Sequence, residues 1–196
     1  MRKIFLFFCF ISTIFFSQSV KAVSYRGIVE GGFGYLTSNS ANHSEQKVGI
    51  DAFVTNGIQV VKPFYVGITL GYGWCQEFYE SEHRLKIGGD IRWDGFGIFG
   101  IGKRVNPFID LKLGYNLPIS DIGSYDFASL SGGFFLRPSL GIRLRLSSKV
   151  GFNFSIFYNL INRIYCKNIE YYDRGEHYYT GNLDSHQLGI GIGVDF

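Results

Sequence analysis

The sequence predicts an all-β fold, an eight-stranded antiparallel up-and-down transmembrane β-barrel, and three observations predict it. Large apolar residues recur at every second position through most of the chain. Glycine supplies 26 of 196 residues, well above its ordinary share of roughly 7%. The alternating runs are joined by connections that switch between short and long. With 46% hydrophobic and 18% aromatic residues, the chain carries too much apolar surface to stay disordered. So much Gly, Phe and Tyr also works against helix propensity. The glycines keep no period of three, which excludes collagen.

Residues 1–22 read as a secretory signal peptide ahead of a barrel domain over 23–196. Arg2 and Lys3 form a positive head, and Ile4 to Phe16 is an apolar run broken only by Ser12 and Thr13. A cut after Ala22, or alternatively after Ser19, follows the small-residue rule. The run is shorter than the ~20 residues of a membrane-spanning helix. The bulky Phe8 before Cys9 argues against a lipid-modified cysteine. Of the 19 basic residues, Arg2, Lys3 and Lys21 leave with this segment and no acid does, so 16 bases face 16 acids in the remainder. That neutral balance removes the main support for nucleic-acid binding.

Beyond residue 22 the period is two. From Phe64 to Trp74 every even position is large and apolar or aromatic, while four of the five odd positions are Gly or Thr. A strand sends these two sets to opposite faces. Counting such runs predicts strands over 25–36, 47–60, 64–75, 84–96, 107–117, 133–146, 150–161 and 186–196. Residues 61–63, 97–106 and 147–149 connect them on one side. The segments 37–46, 76–83, 118–132 and 162–185 are longer and more polar. Alternation of turn and loop is the asymmetry of a membrane barrel with turns at one mouth and loops at the other.

The charged residues share one parity. Arg26 and Glu30 lie in the first run, Asp51 in the second, Lys86, Asp90 and Arg92 in the fourth, and Asp110 and Lys112 in the fifth. Arg137, Arg143 and Arg145 follow in the sixth, and Asp195 in the last. A soluble calycin-like barrel, the alternative, would turn these outward and pack Phe, Tyr, Trp, Ile and Leu inside. Eight strands enclose a space only just wide enough for side chains, which suits glycines better than that set. A charge in hydrocarbon costs ~2–4 kcal/mol at mid-depth, so the charges are expected inside. Their pairing predicts a closed, salt-bridged plug. The alternative is a narrow small-solute channel with a basic bias from the sixth run. Aromatics at strand ends predict two girdles: Tyr25, Phe64, Phe108, Phe152 and Phe196 at the turn side, and Tyr35, Tyr72, Trp74, Tyr115 and Tyr158 at the loop side.

These features together resemble the small bacterial outer-membrane barrel proteins of the OmpA/OmpX-like type. The segment Asn106-Pro107-Phe108-Ile109-Asp110-Leu111-Lys112-Leu113-Gly114-Tyr115 resembles the fifth strand of the "porin family" or "outer membrane protein beta-barrel" group. The resemblance implies export to the bacterial outer membrane, a monomer, and contact with outer-membrane lipid and lipopolysaccharide. It also implies that Leu188, Ile190, Ile192, Val194 and Phe196 form the terminal signal read by the barrel-assembly machinery.

No catalytic, cofactor or metal motif stands out. Cys75 and Cys166 lack the neighbouring ligands of a metal site and are either one disulfide or two idle thiols. Some barrels of this type modify lipid A, which makes a lipid A-modifying enzyme the alternative function. His43, His83, His177 and His186 are the candidates, and Asp184-Ser185-His186 holds the residue types of acyl transfer. Ser185 and His186 are adjacent on a strand, however, and adjacent residues project to opposite faces. The lipid A deacylase and palmitoyltransferase patterns do not match in order or spacing. The most distinctive loop is the fourth, where Tyr165, Tyr171, Tyr172, Tyr178 and Tyr179 are interleaved with charges. Tyrosine there suits either a contact surface for an extracellular ligand or a loop packed on itself. The expected function is therefore structural or surface-interactive, through the long loops.

Overall fold

Alternation becomes curvature when one face of every strand is crowded and the other is free. Between Phe64 and Cys75 the odd positions are buried or half-buried, and the even ones are exposed except for half-buried Trp74. The same division recurs in the neighbouring strands, so the sheet rolls up with one face inside. A computed structural model describes residues 24–38, 47–61, 63–77, 80–95, 104–119, 129–147, 150–171 and 175–196. The expected signal peptide, 1–22, lies outside the described residues.

Nine strands follow in order: β1 Ser24–Ser38, β2 Lys47–Val61, β3 Phe64–Glu77, β4 Glu80–Asp94, β5 Val105–Pro118, β6 Ser129–Ser131, β7 Gly133–Arg145, β8 Gly151–Tyr171 and β9 Gly175–Asp195. All pairings are antiparallel and join sequence neighbours except that β5 pairs β7 and β6 pairs β8, and β9 closes the sheet on β1. The three-residue β6 pairs with β8 along the edge that β7 also uses, with Gly132 between them. The two together form one wall, so the barrel is eight-stranded. Gly27 and Phe196 exchange backbone hydrogen bonds of 2.8 and 2.9 Å at the closing seam.

Three boundaries differ from expectation. The segment 76–83 is expected as a loop, yet β3 and β4 pair directly as far as Glu77↔Glu80. The segment 162–185 is also expected as a loop, yet β8 and β9 stay paired to Tyr171↔Gly175. The last contact of β9 with β1 is Ser38↔Ser185. Ten further pairs, Asn162↔Asp184 to Tyr171↔Gly175, therefore carry a β8–β9 arm about 30 Å beyond it. Part of the expected loop 118–132 is β6, which lines the base of that arm. The physical reason is common to all three. Main-chain pairing continues past the band of exposed apolar side chains, whereas the alternation that reveals a strand stops with that band.

Aromatic rings explain much of the glycine. Phe53, Phe108 and Phe157 are fully buried inside the barrel. Each stands directly opposite a glycine on the next strand: Gly71, Gly141 and Gly189. A Cβ at Gly141 would come within 2.5 Å of the Phe108 ring, and one at Gly189 within 2.6 Å of the Phe157 ring. The missing side chain is the space in which the ring lies. Phe108 thus belongs to the interior and not to the turn-side girdle expected for it, because its parity is that of Asp110 and Lys112.

Candidate functional site

Seven basic and seven acidic residues are buried or half-buried inside the barrel among the described residues, and they sort into four layers along its axis. At the turn-side mouth Arg26 from β1 reaches Asp94 of β4 and Asp195 of β9, the latter at 3.0 Å. Arg143 of β7 also holds Asp195, with Nε donating at 2.9 Å. Two bases meet two acids there.

The middle layer is the largest. Arg92 of β4 lies 2.9 Å from Glu30 and 3.4 Å from Asp110. Lys112 of β5 lies 2.6 Å from Glu30, 2.5 Å from Asp110 and 3.3 Å from Asp90. Arg137 stands opposite Lys112 on β7. Its guanidinium is held by rings, 4.0 Å from the Phe157 centroid and 4.6 Å from that of Phe53, while Nε and Nη1 have no hydrogen-bond partner. Three bases thus face three acids in this layer.

Above it Lys86 of β4 pairs with Asp51 of β2, over the rings of Phe53 and Phe135. Asn159 donates to Asp51 at 3.2 Å and to Gln187 at 3.1 Å. Gln187 in turn donates to the Gly49 carbonyl at 3.1 Å. The fourth layer, toward the loops, holds Arg84 against Glu82 and the Cys75 sulfur, both at 2.6 Å. Each of these layers has one base and one acid. Every layer holds as many bases as acids, and Phe108 under Arg92 at 4.0 Å repeats the cation–ring theme.

Sequence reasoning missed three of these groups and misplaced one. Glu82 and Arg84 continue the even parity of Lys86, Asp90 and Arg92, but Glu82 falls in the expected loop 76–83 and Arg84 is the first residue of the expected strand 84–96. Asp94 extends the same parity at the other end. Arg145 is expected inside, yet it is exposed at the end of β7, where the wall has run out and its backbone N–H meets the Arg104 carbonyl at 2.7 Å. Removing Arg145 and adding Arg84, Glu82 and Asp94 erases the basic bias expected of the interior.

On the outside, Leu188, Ile190, Ile192 and Phe196 are exposed, 53–65%, and Val194 is half-buried. Tyr25, Phe64, Phe152 and Phe196 stand exposed at the turn side, as do Tyr35, Tyr72, Tyr115 and Tyr158 at the loop side. Two of the latter bind histidines across the strand: the Tyr72 hydroxyl meets His83 Nδ1, and the Tyr158 hydroxyl meets His186 Nδ1 at 2.5 Å. Ser185 is fully buried on the opposite face from His186, and Asp184 accepts from Asn162 at 2.6 Å. Adjacent residues here turn to different faces, so Asp184, Ser185 and His186 do not converge. His43 lies outside the described residues, and His177 belongs to the β9 backbone of the arm.

Cys75 is buried and is not part of a disulfide. Three strands separate β3 from β8 in either direction round the barrel. Strands are spaced ~4.8 Å apart, and a disulfide needs Cα atoms within ~7 Å. Cys75 and Cys166 therefore occupy opposite walls. Of the loop tyrosines, Tyr165 and Tyr171 lie on β8 and Tyr178 and Tyr179 on β9, all in the arm. Tyr172 lies outside the described residues.

No protein-family model and no curated protein matches the chain. Solved structures do. The crystal structure of Neisserial surface protein A aligns over 90% of this chain and 100% of its own, with a TM-score of 0.57 at 15% identity. The solid-state NMR structure of outer membrane protein AlkL in lipid bilayers covers 92% of this chain and 95% of its own, with a TM-score of 0.48 at 10% identity. The crystal structure of the outer membrane enzyme PagL covers 84% and 97%, with a TM-score of 0.46 at 14% identity. The fold of this chain is that of the small eight-stranded outer-membrane β-barrels.

Proposed function

We propose that this protein is an integral barrel of the bacterial outer membrane with a sealed interior, working through its external surface as a structural or contact element. The match of bases to acids in each interior layer carries this reading. A conducting path selective for one sign of ion needs uncompensated charge along it, whereas here each base is matched within its own layer. Eight strands leave an interior that side chains fill. The exposed band supports the membrane setting: Ile68, Ile156, Ile190 and Ile192 stand 62–70% exposed, flanked by the two aromatic girdles. No helix among the described residues is long and apolar enough to cross a membrane, so the strands are what would cross it. Outer-membrane lipid and lipopolysaccharide are then the immediate neighbours. Leu188, Ile190, Ile192, Val194 and Phe196 are the stretch offered to the assembly machinery.

Planar-bilayer recording on the heat-modifiable, folded protein tests this. A silent record is expected, together with a band in cold SDS that shifts on boiling. Stepwise conductance from the folded form would overturn the sealed interior, and recovery in the soluble periplasmic fraction would overturn the membrane setting.

A further inference from the structure

The turn-side mouth carries more base than the acids beside it can hold. Asp195 of β9, fully buried, takes both Arg26 of β1 and Arg143 of β7, and Asp94 of β4 takes Arg26 as well. That completes the lowest interior layer. One step nearer the opening stand two further arginines. Val105 of β5 pairs with Leu144 of β7, and Leu144 pairs with the girdle residue Phe152 of β8. Arg104 and Arg145 come directly beyond Val105 and Leu144, and the Arg145 N–H donates to the Arg104 carbonyl at 2.7 Å. Both side chains are exposed, and neither joins an ion pair among the described residues. Arg145 keeps the inward parity of Arg137 and Arg143, and Arg104 that of Phe108 and Asp110. They therefore belong to the rim of the mouth and not to the outer face. Arg26 adds a second sign. It is 6% exposed, and its Nη2 has no hydrogen-bond partner although Nε and Nη1 hold Asp195 and Asp94. A buried guanidinium nitrogen without an acceptor marks a place for an anionic oxygen.

We propose that the turn-side mouth is a binding site for a phosphate monoester, held by Arg26, Arg104, Arg143 and Arg145. Four arginine side chains there meet two carboxylate side chains, which leaves two positive charges unmatched. A phosphate monoester carries about −1.5 to −2 at pH 7. Its three terminal oxygens accept from guanidinium forks that arrive from different strands, here β1, β5 and β7. An eight-stranded barrel is narrow enough for side chains from facing walls to meet near its axis. A carboxylate is a poorer fit, with one charge and two oxygens, so an acidic peptide is the weaker occupant. The ester is either a soluble molecule or the headgroup of a lipid, because the exposed girdle of Tyr25, Phe64, Phe152 and Phe196 sets the lipid interface at this mouth.

Calorimetric titration of the folded full barrel with glycerol 3-phosphate, glycerol and polyglutamate tests this. Glycerol 3-phosphate is expected to bind, glycerol not at all, and polyglutamate more weakly, with affinity falling as salt rises. Arg104→Gln with Arg145→Gln should lose on the order of tenfold. Arg145→Lys should lose severalfold, since lysine keeps the charge but not the fork. Arg163→Gln with Lys167→Gln removes the same charge from the arm and should change nothing. Each variant is first checked for the cold-SDS band shift, so that loss of binding is read on folded protein. The two sources separate in phosphatidylcholine nanodiscs. Displacement of glycerol 3-phosphate by phosphatidic acid, beyond that by phosphatidylserine, supports the site with a lipid as its ligand. Binding without such displacement supports the site with a soluble ester. No binding of glycerol 3-phosphate or inorganic phosphate, equal loss from the arm variant, or tighter binding of polyglutamate would overturn the proposal.

Discussion

β8 and β9 pass through two environments, and the contrast between their lower and upper halves is the most instructive comparison in the molecule. In the wall, both strands are paired on both edges, their odd residues are buried among charges and rings, and their even residues face outward as Phe152, Phe154, Ile156, Leu188, Ile190 and Ile192. In the arm the same register continues, but beyond β6 only the hairpin partner remains among the described residues. The wall is held by layers of buried charge, packed rings and pairing on both edges. The arm is held by main-chain pairing and cross-strand contacts of a few tenths of a kcal/mol each. An isolated hairpin is marginal in water, so the arm's stability is borrowed from the wall beneath it.

The sharpest way to break the wall is to unbalance its middle layer. Lys112→Ala would leave Glu30, Asp90 and Asp110 facing Arg92 and Arg137. Removing one partner of a buried ion pair costs about 3–5 kcal/mol. The temperature at which the folded band disappears in SDS should fall steeply. Combining Lys112→Met with Asp110→Asn restores neutrality and should recover a large part of the loss. If the double variant is as unstable as the single one, layer neutrality is not what stabilises the interior.

Charging the lipid face comes next. Ile68→Lys places an ammonium where the residue is 70% exposed on the outer side of β3. Near mid-bilayer that costs about 2–4 kcal/mol, read as a lowered urea midpoint for the barrel folded in lipid vesicles. Ile68→Lys tolerated without loss would contradict the membrane setting, because the same change on a solvated surface is nearly neutral.

Glycine gives a smaller and more local test. A Cβ at Gly71 would overlap the ring of Phe53, whereas one at Gly31 meets nothing within 4 Å. Gly71→Ala should cost about 1–3 kcal/mol through overpacking, and Gly31→Ala close to nothing. Equal effects at the two sites would mean that the aromatic packing inside is loose.

The same contrast explains what the sequence made legible. Within the exposed apolar band, hydrophobic parity is kept residue by residue, and the eight strands are legible to within a few residues at most ends. Outside it, nothing forces alternation. Glu82 reads as loop although it is strand, and the arm reads as a 24-residue loop spanning 162–185. Phe108 was misread because an aromatic near a strand end fits a girdle as well as it fits an interior; only its parity, shared with Asp110, tells them apart. Ion-pair partners such as Glu30 with Lys112 lie on β1 and β5, far apart in sequence. Parity places each inside, but only closure of the barrel brings them together.

The smallest expected effect is also the most discriminating between the two halves. Deleting 166–170 together with 176–180 removes five complete cross-strand pairs, Cys166↔Thr180 to Glu170↔Glu176, and leaves register and connection intact. Every buried charge described above lies below the cut. If wall and arm are energetically separate, the unfolding midpoint in vesicles should move by no more than ~0.5 kcal/mol, although half of the arm is gone. Amide exchange should show the same division in the intact protein, with the arm opening at low free energy and the wall only on global unfolding. A shortened chain that loses several kcal/mol would mean that the arm folds back to seal the mouth and shares in the barrel's stability. The outward role assigned to it would then have to be given up.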